Sequence, residues 1–129
     1  MSDILPQMLT ATCHCRAIKV EVPRAPQSVT DCNCSICRCY GVLWAYYKDA
    51  EVKLTALPDV ETATDDYVWG DKTQKFMRCK QCGCVMQWKK FVIDGDTWAG
   101  VNARNFEPSI SGRVAVRRLD GADTWDYFA

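Results

Sequence analysis

Cysteine spacing constrains this chain more than any other feature. Nine cysteines in 129 residues fall into three tight groups: Cys13-His14-Cys15, then Cys32-Asn33-Cys34-Ser35-Ile36-Cys37-Arg38-Cys39, then Cys79-Lys80-Gln81-Cys82-Gly83-Cys84. An odd number excludes complete internal disulfide pairing. The first residues, MSDILPQM, carry an acid at Asp3 and a proline at Pro6 and lack a basic segment leading into an apolar run, so they do not read as a signal peptide. No apolar segment reaches membrane-spanning length. The expectation is a cytoplasmic protein with reduced thiols, in which close-set cysteines are metal ligands or redox groups.

The spacings carry geometry. In C-x-x-C, two intervening residues form a tight turn that points both sulfurs at one ion, and a glycine directly after the second cysteine suits the left-handed backbone that closes such a turn. Cys79-x-x-Cys82-Gly83 has this form. In C-x-C on an extended segment, both side chains share a face. A C-x-C segment opposite a C-x-x-C turn completes a tetrahedral four-thiolate site, so Cys13, Cys15, Cys79 and Cys82 are expected to hold a structural zinc. Cys32, Cys34 and Cys37 combine both spacings in C-x-C-x-x-C. Three ligands leave a tetrahedral ion one open position, the arrangement of a catalytic zinc. Two zinc ions per chain are therefore expected.

A length of 129 residues suits one domain, taken as residues 1–129. Sixteen basic residues balance sixteen acidic ones, which argues against binding nucleic acid or a membrane surface through bulk charge. The doublets Lys89-Lys90 and Arg117-Arg118 read as solvated strand ends. Ile18, Val20 and Val22 alternate with Lys19 and Glu21, the pattern of a half-buried strand. Further strands are expected at residues 41–47, around Val52 and Leu54, before and after the CKQC turn, and from Trp98 to Val101. Helical periodicity is confined to a short segment around Asn105 to Ser111. The fold class is all-β, and the C-terminal DGADTWDYFA reads as a peripheral tail with aromatic anchors.

Cys13-x-Cys15, then Cys32-Asn33-Cys34-Ser35-Ile36-Cys37-Arg38 with Gly41 beyond it, then Cys79-x-x-Cys82-Gly83, resemble the glutathione-dependent formaldehyde-activating enzyme family, whose domain also occurs in centromere protein V. The tail Arg118-Leu119-Asp120-Gly121-Ala122-Asp123-Thr124-Trp125 is similar to family members as well. The resemblance implies the family's β-tent fold of small sheets around two zinc sites. It also implies the structural zinc at Cys13, Cys15, Cys79 and Cys82, and the catalytic zinc at Cys32, Cys34 and Cys37. Glutathione and formaldehyde are its implied substrates, and the activity it implies is that of a carbon–sulfur lyase. The chain departs from the family in carrying Cys39, either a fourth ligand closing the second site or a small side chain off the metal. Met77-Arg78 stand where the family often has histidine followed by an aromatic.

Zinc removes the proton of a bound thiol and polarises a carbonyl, which suits addition of a thiol to an aldehyde or the reverse. Arg38, beside the ligands, either offsets the charge of three thiolates, binds a substrate carboxylate, or lies exposed on a turn. The aromatics Trp44 and Tyr46 follow, expected in the core or against a pocket, while His14 reads as a spacer and Cys84 as a buried strand residue. A thioredoxin-like protein would need a βαβ setting around its C-x-x-C. A zinc deaminase would need H-x-E and P-C-x-x-C, and neither is present. The remaining rival is a non-catalytic double-zinc β module that binds a protein partner.

Overall fold

The structure, a computed structural model, describes residues 8–129. The stretch 1–7, which carries the absent-signal-peptide reading, lies outside the described residues. The chain is mainly β, as expected, and its strands form two sheets. Strands β1 (Leu9–Thr12), β2 (Ile18–Val22) and β5 (Lys53–Ala56) make a three-stranded antiparallel sheet in the order β1-β2-β5. The larger sheet contains β3 (Ser28–Cys32), β4 (Trp44–Lys48), β6 (Thr64–Tyr67), β7 (Gln74–Cys79), β8 (Val85–Lys90), β9 (Trp98–Asn102) and β10 (Ala115–Leu119). Its order is β10-β3-β4-β9-β8-β7-β6, antiparallel except where β10 runs parallel to β3.

Alternation explains β2: Ile18, Val20 and Val22 are fully buried while Lys19 is exposed, so a period of two drives one face into the core. That core also takes Ala11, Val29, Tyr47, Met86 and Val101, and so lies between the two sheets. A smaller cluster on the other face of the large sheet gathers Cys32, Cys37, Val42, Trp44, Phe76 and Val85. The register aligns Tyr46 with Gly100, Gly100 with Trp88, and Trp88 with Phe76 in one row across four strands. This row forms the floor of the cavity described below.

Among the described residues, three short α-helices interrupt the strands: α1 (Ser35–Tyr40), α2 (Val60–Ala63) and α3 (Pro108–Ser111). The last, with the 3-10 turn Ala103–Asn105, agrees with the helix expected near Asn105 to Ser111. α1 was not anticipated. It also shortens the strand expected at residues 41–47, because Gly41 (φ +68°) caps the helix and the strand begins only at Trp44. Six residues cannot hold a helix by themselves, so α1 depends on the chain around it.

Gly100 has a stringent steric role. A Cβ there would fall well inside van der Waals contact with Nε1 of Trp88, and the backbone of β9 is paired on both sides. Gly100→Ala must therefore push the Trp88 indole off the sheet. The expected result is a loss of about 1–3 kcal/mol, as for other overpacked sites. Urea denaturation, with near-UV circular dichroism reporting the displaced indole, checks it.

Candidate metal centre and aromatic cavity

Two cysteine clusters converge. The sulfurs of Cys13, Cys15, Cys79 and Cys82 all lie within 4.8 Å of one another, as do those of Cys32, Cys34 and Cys37. A tetrahedral ion with metal–sulfur bonds near 2.3 Å holds its sulfurs roughly 3.8 Å apart. Cys13 and Cys15 are separated by 3.6 Å and Cys15 and Cys79 by 3.5 Å, so the first cluster has the dimensions of such a cage. Each cluster could hold a metal ion.

The first cluster is built from two turns. Cys13 and Cys15 were expected on an extended segment; instead they occupy the tight turn joining β1 to β2. Arg16 adopts φ +68° there, and the N–H of Ile18 donates to Cys13 Sγ at 3.3 Å. Backbone N–H groups can face a sulfur only where the chain folds back, which is why the turn wins over the strand. His14 is exposed on it. The opposing turn follows the expected form: Gly83 has φ +83°, its N–H donates to the Cys79 carbonyl at 2.9 Å, and the Cys82 N–H donates to Cys79 Sγ at 3.4 Å. Cys84 is not a buried strand residue. It is half-buried one position before β8, and its carbonyl accepts from the Cys79 N–H at 2.9 Å to close the turn.

The thiols share their protons unequally. Burial pushes Cys82 up, but N–H groups of Cys84 and Cys15 and the Cys79 and Cys84 thiols outweigh it and bring Cys82 down to about 6. At Cys15 a hydrogen bond from Ala17 lowers the thiol, yet burial and the neighbouring thiols dominate and raise it to about 12.

The second cluster spans the end of β3 and the start of α1. Cys32 ends the strand, Cys34 occupies the N-cap of the helix, and Cys37 lies one turn on. The Cys34 N–H donates to Cys32 Sγ at 3.4 Å, and the indole N–H of buried Trp44 donates to Cys37 Sγ at 3.2 Å. Burial raises the Cys34 thiol, but the Cys37 N–H, the Cys37 and Cys32 thiols and the Ile36 N–H reverse this, so the net shift is downward. Burial raises Cys37, against the Trp44 hydrogen bond. Cys34 is thus the readiest of the three to ionise.

Helical geometry decides the fate of the extra cysteine. Two residues along a helix turn the side chain by about 200°. Cys39 is accordingly exposed and stands outside the cluster, whereas Cys37 is buried within it. Arg38 is exposed on the same helix and does not border the cavity beside the cluster.

That cavity, of about 200 Å³, opens beside Cys32, Cys34 and Cys37. Trp44, Tyr46, Phe76 and Trp88 line it from the large sheet, Trp69 from the loop after β6, and Trp125 from the C-terminal tail. Both expected roles are met: Trp44, 2% exposed, packs in the core and also borders the cavity, while Tyr46 is 38% exposed at the cavity. From β7 the lining comes from Gln74 and Phe76, whereas Arg78 lines a neighbouring cavity and Met77 is buried.

The tail is a wall of this site. Asn33, between two cysteines of the cluster, donates to Asp120 Oδ1 at 3.1 Å and accepts from the Ala122 N–H at 2.8 Å. A Cβ on buried Gly121 would lie 2.5 Å from Cys32 Sγ, so only glycine lets the turn approach the sulfur this closely. The expected aromatic anchors are present: Arg117 stacks over Tyr127 at 3.8 Å, and Tyr127 meets the Thr30 hydroxyl at 2.9 Å.

Residues 8–110 match the glutathione-dependent formaldehyde-activating enzyme family. The chain belongs to that family. The match takes in both cysteine clusters and stops short of β10 and the tail wall. Among solved structures, the chain resembles the crystal structure of a Rhodobacter sphaeroides protein with a TM-score of 0.66 and 24% identity, covering 84% of this chain and 99% of that one. This likeness speaks to the fold alone. No curated protein matches the chain. No helix among the described residues is long and apolar enough to cross a membrane.

Proposed function

We propose that this chain is a single-domain, cytoplasmic carbon–sulfur lyase that makes or cleaves a thiol–aldehyde adduct at a zinc ion, in the manner of S-(hydroxymethyl)glutathione synthase. The observation that carries the reading is the contrast between the clusters: four sulfurs form one cage, while three border a cavity. Cys13, Cys15, Cys79 and Cys82 would hold a structural zinc, and Cys32, Cys34 and Cys37 a second with an open position. The partner is a small thiol, glutathione being the one the family offers; balanced charge gives no reason to invoke nucleic acid or a membrane. All nine cysteines are unpaired, in keeping with a reducing compartment.

When bound, zinc would supply acidification of a thiol and polarisation of a carbonyl oxygen. The remaining work falls to the chain. The Trp44 N–H holds Cys37 in place and tempers its negative charge. Aromatic walls exclude water and so protect an adduct from dissociating into solvent. In the forward direction a carbon–sulfur bond forms, the C=O π pair moves to oxygen, and the proton leaving sulfur ends on that oxygen. No oxidant or reductant is consumed. Tyr46 lines the cavity, and burial raises its hydroxyl to about 12, so Oη stays protonated and can donate a hydrogen bond to the oxygen that gains charge.

X-ray absorption on zinc-loaded protein tests the metal part. One site with four sulfurs and another with three sulfurs and an oxygen is expected; two four-sulfur sites would point to the non-catalytic module instead. Exchange spectroscopy by NMR, following formaldehyde between hydrate and thiol adduct, should show acceleration in proportion to enzyme.

A further inference from the structure

We propose that the cavity beside Cys32, Cys34 and Cys37 selects thiols whose organic part is neutral and aromatic, in preference to glutathione. This rests on the reading of that cluster as an open metal site and names the class of substrate it would take.

Three observations converge. First, the cavity presents rings: Trp44, Tyr46, Trp69, Phe76, Trp88 and Trp125. Four of the chain's five tryptophans border this one space. Phe76 sits 6.2 Å from Trp44, and Tyr46 meets Trp88 edge-on at 6.2 Å and 61°, so the walls already use ring-to-ring geometry that a further ring can extend. Second, no charged side chain lines it. Three thiolates outweigh a divalent ion by one negative charge, and glutathione would add two carboxylates against a single ammonium. Like charges in a site of low dielectric repel strongly. Arg78 borders the adjoining cavity rather than this one and faces Asp65 at 3.6 Å, which offsets its charge. Third, size fits: an apolar cavity of about 150 Å³ suffices for benzene, and this one is about 200 Å³. A tripeptide would have to leave most of its length outside.

The reaction is unchanged: the sulfur of the aromatic thiol bonds the aldehyde carbon, and its proton passes to the aldehyde oxygen. What changes is the recognition of the group on sulfur. Trp125, contributed by the tail, is 63% exposed, the most exposed of the lining rings, and is the specificity-determining wall.

The test uses full-length protein loaded with cobalt(II), whose thiolate bands report a new sulfur at the open position, alongside intrinsic tryptophan fluorescence. Phenylmethanethiol and glutathione are titrated separately. The aromatic thiol should bind about 10- to 100-fold more tightly, the gain from burying one ring. Trp125→Ala should weaken phenylmethanethiol about 5- to 10-fold and glutathione by less, so that the preference narrows; because the residue is largely exposed, the variant should fold. Glutathione binding as tightly as phenylmethanethiol, or more so, would overturn this inference while leaving the lyase reading standing. If neither thiol perturbs the cobalt bands, both fail.

Discussion

Cys79→Ser should abolish cooperative folding. Cys79 is 1% exposed at the end of β7, and its sulfur meets that of Cys15 from the β1–β2 turn. The first cluster therefore staples the three-stranded sheet to the seven-stranded one. The strands of the smaller sheet are only four or five residues long, too short to hold themselves together in water. A structural zinc contributes on the order of 10–16 kcal/mol in small metal-binding folds, comparable with the whole stability of an ordinary domain, about 5–15 kcal/mol. Serine offers a neutral oxygen in place of a thiolate and leaves only the sulfurs of buried Cys13 and half-buried Cys15 and Cys82 to hold an ion. Far-UV circular dichroism should show no melting transition in the variant, and metal analysis a loss of at least one equivalent per chain. A variant that melts within a few degrees of the parent would show that the cluster is not structural.

The parts of this architecture that repeat at short range were readable from sequence. β2 was visible in the alternation of Ile18, Val20 and Val22, and the C-x-x-C-G turn in Gly83. Both are local: a period of two, and a residue needing positive φ. Within each motif the convergence of sulfurs was legible for the same reason, whereas the meeting of Cys13-x-Cys15 with Cys79-x-x-Cys82 is a long-range contact that their spacing only permits.

What spacing could not convey was the backbone between the ligands. Cys13-x-Cys15 reads equally well as strand or turn, and the turn prevails through N–H···S contacts that no residue type announces. α1 was missed because six residues give no periodicity to detect, although Gly41 after Tyr40 was an available C-cap signal. The cavity was the least visible element. Its walls come from strands distant in sequence and from a tail docked through Asn33, whose contacts with Asp120 and Ala122 lie almost 90 residues away in sequence. Parallel pairing of β10 with β3 closes a loop of more than 80 residues, and such long-range contacts leave no local pattern.

Cys34→Ser should separate chemistry from folding. Cys34 stands at the N-cap of α1, where serine is among the preferred residues. The helix therefore keeps a competent N-cap as the second cluster loses its most easily ionised thiol. With Cys32 and Cys37 alone, two sulfurs remain for an ion that wants three or four ligands. Metal content should fall from two equivalents per chain to one, and the melting transition should stay cooperative, in contrast to Cys79→Ser. Lewis-acid and thiol-acidifying effects are together worth several kcal/mol in a metal site, so the enzyme-dependent exchange rate should drop on the order of 10³-fold. The comparison reads on the rival directly. If Cys34→Ser unfolds as completely as Cys79→Ser, both ions serve the scaffold, and the three-sulfur cluster beside the aromatic cavity is no reaction centre.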